Sequence, residues 1–218
     1  MGPALKPPAA SNTIVPQPGG RIQLADCADH ADVVKPHHRF ANVWCRGQLW
    51  DLAHLDAFAF RYTLAVGQGG TEVDVVVLFS CHCFSRSLRR DGRSPRDIPG
   101  DEIFTDGIET RVLDEDRYAA SRVYLPRLVQ ELGTRTIRVA ASDRQNFVTF
   151  ETMEGSRGSR IYAVFFEPRK DTSRRRRIIL RVQSAYVLEA LTRRLANAGK
   201  VGFDKLLNAV YSGGKIRG

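Results

Sequence analysis

Cys81, His82 and Cys83 follow one another directly, and each carries a side chain that can bind a soft metal ion or act in nucleophilic or acid-base catalysis. The flanking run "VDVVVLFSCHCFSR" has the composition of a β-strand. In an extended strand Cys81 and Cys83 point to one side and His82 to the other, so the three do not converge on a tetrahedral zinc. The expectation is two buried, reduced core thiols, no metal and no cofactor. A reactive thiol, or a metal shared with Cys27, Cys45 or the His37-His38 pair, is the competing reading. His82, beside Ser80, Phe84 and Arg86, has the chemistry of a general acid or base near neutral pH, or of a structural histidine held by a hydrogen bond. His37 and His38, in a loop after Pro36, are expected to face solvent.

The second concentration of chemistry is "RKDTSRRRRIILRVQSAYV". If residues 177–187 form a strand, Ile178, Leu180, Val182, Ser184 and Tyr186 share a core face, while Arg177, Ile179, Arg181 and Gln183 share a cationic one. Arg138 and Arg160 in neighbouring strands extend that face, and Arg169, Lys170, Arg174, Arg175 and Arg176 load the preceding turn. Guanidinium groups bind phosphate oxygens bidentately, so this surface is a candidate nucleic-acid contact. The plainer reading is a charged hairpin end that discourages edge-to-edge aggregation. Glu151 and Glu167 stand alone in their strands and read as surface charges. No Gly-x-Gly-x-x-Gly, P-loop, Gly-x-Ser-x-Gly or His-Glu-x-x-His motif occurs.

The charge of the whole chain agrees with a polyanionic partner. The net charge is +9 and the isoelectric point about 9.8. Residues 1–133 hold 15 Lys and Arg against 17 Asp and Glu, whereas residues 134–218 hold 18 against 7. All of the excess belongs to the C-terminal part, which suggests nucleic acid, RNA first, or else an acidic protein. No apolar run is long enough to cross a bilayer and the first residues lack the order of a secretion signal, so the expected location is the cytoplasm, away from membranes. Four cysteines without a Cys-x-x-Cys pair fit reduced thiols.

The elements that must position these groups follow from periodicity. Residues 1–20 contain five of the ten prolines and three glycines and read as a flexible arm. Residues 21–218 read as a single α+β domain with an elaborated N-terminal half. "FAFRYTLAV" and "VDVVVLFSCHCFSR", separated by a glycine-rich turn, form a hairpin; its second strand is apolar on both faces and should be interior. Residues 86–107 read as a long polar loop, a candidate lid or partner loop. "LDEDRYAASRVYLPRLVQELG" is a helix with acidic residues at its start, which Pro126 should kink or divide. Four further strands after residue 134 suggest an antiparallel meander, followed by short helical pieces and a basic tail. The fold class is therefore α+β, a central antiparallel sheet with a few packing helices.

A helix followed by a sheet whose late strand reads "RIILRVQSAYVLE" resembles ribonuclease toxins of the RelE and BrnT type, within the barnase-EndoU-colicin-RelE superfamily, over about residues 114–190. In that family the sheet presents basic and hydroxyl residues to RNA, and the BrnT-type late strand carries an apolar run ending in Ser-Ala and a polar or basic residue. Ser184, Ala185 and Tyr186 match that ending, with Tyr186 where the arginine of the pattern falls. The resemblance implies an RNA-binding, toxin-like ribonuclease in which His82, Arg177, Arg181 and Tyr186 are the residues to nominate for catalysis. The alternative, from another class, is a non-enzymatic interaction or inhibitor protein docking an acidic protein partner.

Overall fold

The computed structural model describes residues 23–25, 27–66, 69–154 and 159–217; the arm assigned to residues 1–20 lies outside them. The N-terminal half supplies β1 (Gln23–Ala25), β2 (Val43–Cys45), β3 (Gln48–Trp50), β4 (Phe58–Leu64), β5 (Thr71–Phe79), β6 (Ser85–Ser87), β7 (Ile103–Thr105) and β8 (Thr110–Leu113). There follow α1 (Glu115–Gln130), β9 (Ile137–Ala141), β10 (Asn146–Met153), β11 (Arg160–Lys170), β12 (Arg177–Leu188), α2 (Arg193–Ala196), β13 (Lys200–Val201) and α3 (Phe203–Tyr211). The fold is α+β and mostly sheet.

Eight strands form one sheet in the order β1-β4-β5-β12-β11-β10-β9-β13, beside the β2-β3 hairpin and a small β6-β8-β7 sheet. β4 and β5 pair as the expected hairpin, with Phe60 opposite Val75 and Tyr62 opposite Val73. Its turn needs glycine at Gly70, where φ is +82° and a Cβ would come within 2.9 Å of Thr63 Cγ2. β5 is interior, and both its faces are covered as its composition requires. Val73, Val75, Val77 and Phe79 join the main core, while Val76 and Leu78 pack with Ala59, Val33, Val34 and Ile179.

β9 to β12 form the expected antiparallel meander, but β12 joins β5 in parallel, Arg177 opposite Asp74 through Val182 opposite Phe79. A parallel pair requires a long crossover, and residues 80–176 provide it. The faces of β12 also depart from simple alternation. The β11-β12 ladder shifts between Phe165 and Phe166, which face Ser184 and Val182, so Gln183 is the extra residue of a bulge. Ala185 and Val187 then continue the core face begun by Ile178, Leu180 and Val182. Ser184 and Tyr186 move to the side that carries Arg181.

The helices cover the main core. Asp114 caps α1, its side chain accepting from Arg117 N at 3.1 Å, and Leu125, Leu128 and Val129 are buried. α1 is one continuous helix through Pro126, so the proline does not divide it, and Leu125 and Leu128 are buried on either side of it. α3 buries Phe203, Leu206, Leu207 and Val210, one stripe of a helix, with Phe203 against Phe60 and Tyr62. The 86–107 segment is also more built than expected. β6, β7 and three short 3-10 turns lie in it, tied by the Asp91 carboxylate to Arg86 and Arg93 and by Glu102 to Arg93 and Arg46. Among the described residues no helix is long and apolar enough to cross a membrane.

Candidate functional site

Three connections meet at one end of the sheet because the meander folds back on itself. The β9-β10 turn, the end of β11 and the segment after α3 enclose a cleft of about 710 Å³. Gln145 holds the last of these in place: its Nε2 donates to Ile216 O at 3.0 Å, and Ile216 N donates to its Oε1 at 2.9 Å. The floor is a chain of polar groups in which Asn146 donates to Gln183, Gln183 Nε2 donates to Glu167 Oε2 at 2.7 Å, and Arg169 Nε donates to Glu167 Oε1 at 2.5 Å. Glu167 is buried, not the surface charge its isolation in the sequence suggests. The bulge places Gln183 within reach of both neighbours. The cleft lining includes the exposed cations Arg144, Arg169, Lys170 and Lys215.

The nominated arginines have separate fates. Arg175 and Arg176 are exposed in the turn between β11 and β12, with no ion-pair partner among the described residues. Arg174 donates to Asp29 O at 2.8 Å and lies 3.7 Å from Asp32. Arg177 is 1% exposed and is shared by Asp171 and Asp32, which removes it from the cationic face on which strand alternation placed it. The N-terminal segment covers that part of the second sheet face, and a buried guanidinium needs carboxylate partners. Arg181 is exposed, and Arg160 is exposed at the start of β11. Arg138 ties α2 to β9 by donating to Ala196 O at 2.8 Å, and Lys170 Nζ donates to Tyr211 O at 2.7 Å. Tyr186 stacks on Phe165 at 5.5 Å, with the Arg117 guanidinium 4.8 Å above its ring.

His82 belongs to a different neighbourhood. The strand ends at Phe79, and Cys81–Cys83 form a 3-10 turn in which the His82 amide donates to the Ser80 hydroxyl at 3.3 Å. In this turn Cys81 and His82 are therefore not held on opposite faces as they would be in an extended strand. His82 Nε2 meets Glu109 Oε1, Cys81 Sγ lies 3.4 Å from Asp106 Oδ2 and 3.7 Å from Glu109 Oε1, and Arg111 Nη1 donates to Glu109 Oε2 at 3.0 Å. Burial and the Asp106 carboxylate push the Cys81 thiol far up. Burial also lowers the His82 pKa against the opposing pull of Glu109. Burial raises Asp106 and Glu109, but hydrogen bonds outweigh it and hold both below the usual carboxylate range. Arg117 links this turn to β12 by donating to His82 O at 2.9 Å while lying over Tyr186. Of the four residues nominated for catalysis, Arg181 and Tyr186 share a strand face, His82 reaches Tyr186 only through Arg117, and Arg177 is inside.

Cys45, Cys81 and Cys83 are buried free thiols, and burial pushes Cys83 up to about 12. His38 is buried rather than exposed, with Lys35 N donating to its Nδ1 at 3.2 Å. His54 Nε2 lies 2.8 Å from Ser121 Oγ, but Ser121 is fully buried and donates to Tyr118 O, so the pair is closed to a substrate. Sequence reasoning missed Asp106, Glu109, Arg111, Arg117, Asn146 and the inward turn of Glu167. Only contacts between distant segments single these residues out, and nothing in their spacing does.

Among curated proteins and among solved structures none matches the chain. A family model does match residues 42–211, from the residue before β2 to the last residue of α3. Both the cleft floor and the Cys81 turn fall within that span, and the chain belongs to the YjaZ family.

Proposed function

We propose that this protein binds single-stranded nucleic acid, RNA in first place, through the cationic end of its sheet. The observation that carries the reading is the convergence of Arg144, Arg169, Lys170 and Lys215 around a cleft whose floor bears the Asn146 and Gln183 amides. Arg175 and Arg176 continue the charge along the adjoining turn. Seven acidic residues cannot neutralise eighteen basic ones in this part of the chain, and phosphates in a tracking backbone would. The Phe165-Tyr186 stack supplies aromatic area on the side of the sheet that carries Arg181. The likeness to RelE and BrnT toxins points to the same partner. It brings no cutting centre with it, because Arg177 is buried and His82 is held by Glu109 at the far end of β5. The buried thiols suit a cytoplasmic protein.

The test is fluorescence anisotropy with an unstructured RNA oligomer over a range of salt. The expected wild-type behaviour is an affinity that falls linearly in log-log form with salt. Replacing Arg175, Arg176 and Lys215 together with Gln should flatten the slope by about 2, at about 0.7 per phosphate contact on single strands. A wild type with no salt-sensitive affinity for RNA or DNA overturns the reading and leaves the cations to an acidic protein partner.

A further inference from the structure

Asp106 and Glu109 each spend one carboxylate oxygen on the fold and turn the other toward the Cys81 thiol. Asp106 Oδ1 accepts from the backbone of Ile108 at 2.9 Å and of Glu109 at 3.0 Å, which leaves Oδ2 at 3.4 Å from Cys81 Sγ. Glu109 Oε2 accepts from Arg111, which leaves Oε1 facing both Cys81 Sγ and His82 Nε2. Arg111 is itself fixed, donating through Nε to the buried Ser85 hydroxyl at 2.8 Å. One thiol, one imidazole nitrogen and one carboxylate oxygen are thus presented together: the Cys81, His82 and Glu109 donor atoms lie within 4.8 Å of one another, and Asp106 borders them through Cys81.

We infer that Cys81, His82 and Glu109 form a three-ligand binding site for a divalent transition-metal ion of the zinc class, with the Asp106 carboxylate beside the thiolate and the fourth position open to water. Donor type and spacing both favour it. A thiolate with an imidazole selects zinc or cobalt over magnesium or calcium. Metal-ligand lengths of about 2.0–2.3 Å put tetrahedral donors about 3.3–3.7 Å apart, and the Cys81-Glu109 contact of 3.7 Å already has that separation. The closer His82-Glu109 pair opens as the ion enters between its atoms. Charge balances as well. The bound thiolate and the two carboxylates carry three negative charges, Arg111 returns one positive, and a divalent cation neutralises the remainder. Cys81 gives up its thiol proton to solvent on binding, so loading releases a proton. His82 and Glu109 are about one-third exposed on their side chains, which leaves the ion a path in from solvent. Arg111 acts through Glu109 and is a positioning residue.

The experiment uses the full chain stripped with a chelator and titrated with zinc in competition with a chromophoric chelator, then with cobalt. The expected result is one equivalent of zinc per chain, and a cobalt form with visible tetrahedral d-d bands and a thiolate charge-transfer band in the near ultraviolet. Cys81→Ser should abolish the charge-transfer band and weaken zinc binding by more than the roughly 10–100-fold typical of an outer-shell change. Cys83→Ser, equally buried but outside the donor set, should keep both. If Cys81→Ser does not fold, His82→Gln and Glu109→Gln replace it and should each lose the tetrahedral bands. A wild type that takes up no stoichiometric zinc or cobalt overturns the site, as does a cobalt spectrum unchanged in whichever of these ligand variants folds. RNA binding by the cationic cleft is a separate measurement, and neither result decides the other.

Discussion

Arg177 of β12 and Asp32 of the N-terminal segment form an ion pair that ties the two halves of the chain together, with Nη1 donating to Asp32 Oδ1 at 2.8 Å. Asp171 closes the other side of the guanidinium, whose side chain is 1% exposed. Removing it leaves Asp171 buried without its cation, so Arg177→Gln should destabilise the protein by about 3–5 kcal/mol. Arg175→Gln, two residues away in solvent, should change stability by less than about 0.5 kcal/mol. Parallel urea melts of the two variants measure the contrast, and equal effects would show that Arg177 is not a structural residue.

Acid should weaken the fold in two stages. Burial, with the nearby His37 and Arg181 charges, pushes His38 down to about 4, and burial with Arg122 does the same to His54. The unfolded chain binds protons at these histidines near 6.5, where the folded chain does not. Their contribution is complete above that value and is lost as pH falls toward 4. About 1 kcal/mol each remains after discounting for solvent screening, or about 2–4 °C of Tm each. The second stage is the carboxylates: hydrogen bonds from Arg46 and Arg93 hold Glu102 down to about 2, so its contribution is complete above the ordinary Glu range and is lost as pH falls from there through about 2. Thermal melts from pH 7 to 2 should show both stages, and His54→Gln should flatten the first.

Gln145 adopts φ of +50° while clamping Ile216. Gln145→Ala loses both bonds and keeps the backbone strain, whereas Gln145→Gly loses the bonds and relieves it. Both should speed hydrogen exchange at the Ile216 amide, and the alanine variant should be the less stable by about 1 kcal/mol. If Ile216 stays protected in both, the clamp is not what closes the cleft.

The Gln183 bulge sets which side chains of β12 face the core. Deleting Gln183 restores a regular ladder with Val182 and Ser184 still opposite Phe166 and Phe165, so the deletion should fold with a modest loss from the missing Glu167 contact. Inserting an alanine after Gln183 instead turns Ser184 and Tyr186 inward and should abolish cooperative unfolding. Near-ultraviolet circular dichroism and thermal melts distinguish the two, and a well-folded insertion variant would contradict this account of the faces.

The residues themselves determined a good deal. Alternation in 58–66 and the two-sided apolar run in 73–79 set the β4-β5 hairpin and the interior position of β5, because burial on both faces demands apolar residues on both. The acidic start of α1 and the apolar residues after 134 mark their elements, and the eighteen-to-seven excess of basic residues is a property of composition alone. Tertiary structure decided the rest. Strand direction and register depend on partners far along the chain, so the parallel β5-β12 pair and the bulge at Gln183 leave no local signature. Because of the bulge, Tyr186 lies with Arg181 instead of in the core. The four arginines 174–177 look alike in sequence, yet Arg177 is inside and Arg175 outside, since only the arrival of Asp32 and Asp171 makes a buried guanidinium tolerable. In the same way Cys81 and His82 converge on Asp106 and Glu109 only because the strand ends at Phe79 and the β7-β8 connection folds back beside the turn. Local pattern specifies elements, and long-range packing chooses which side chains those elements bring together.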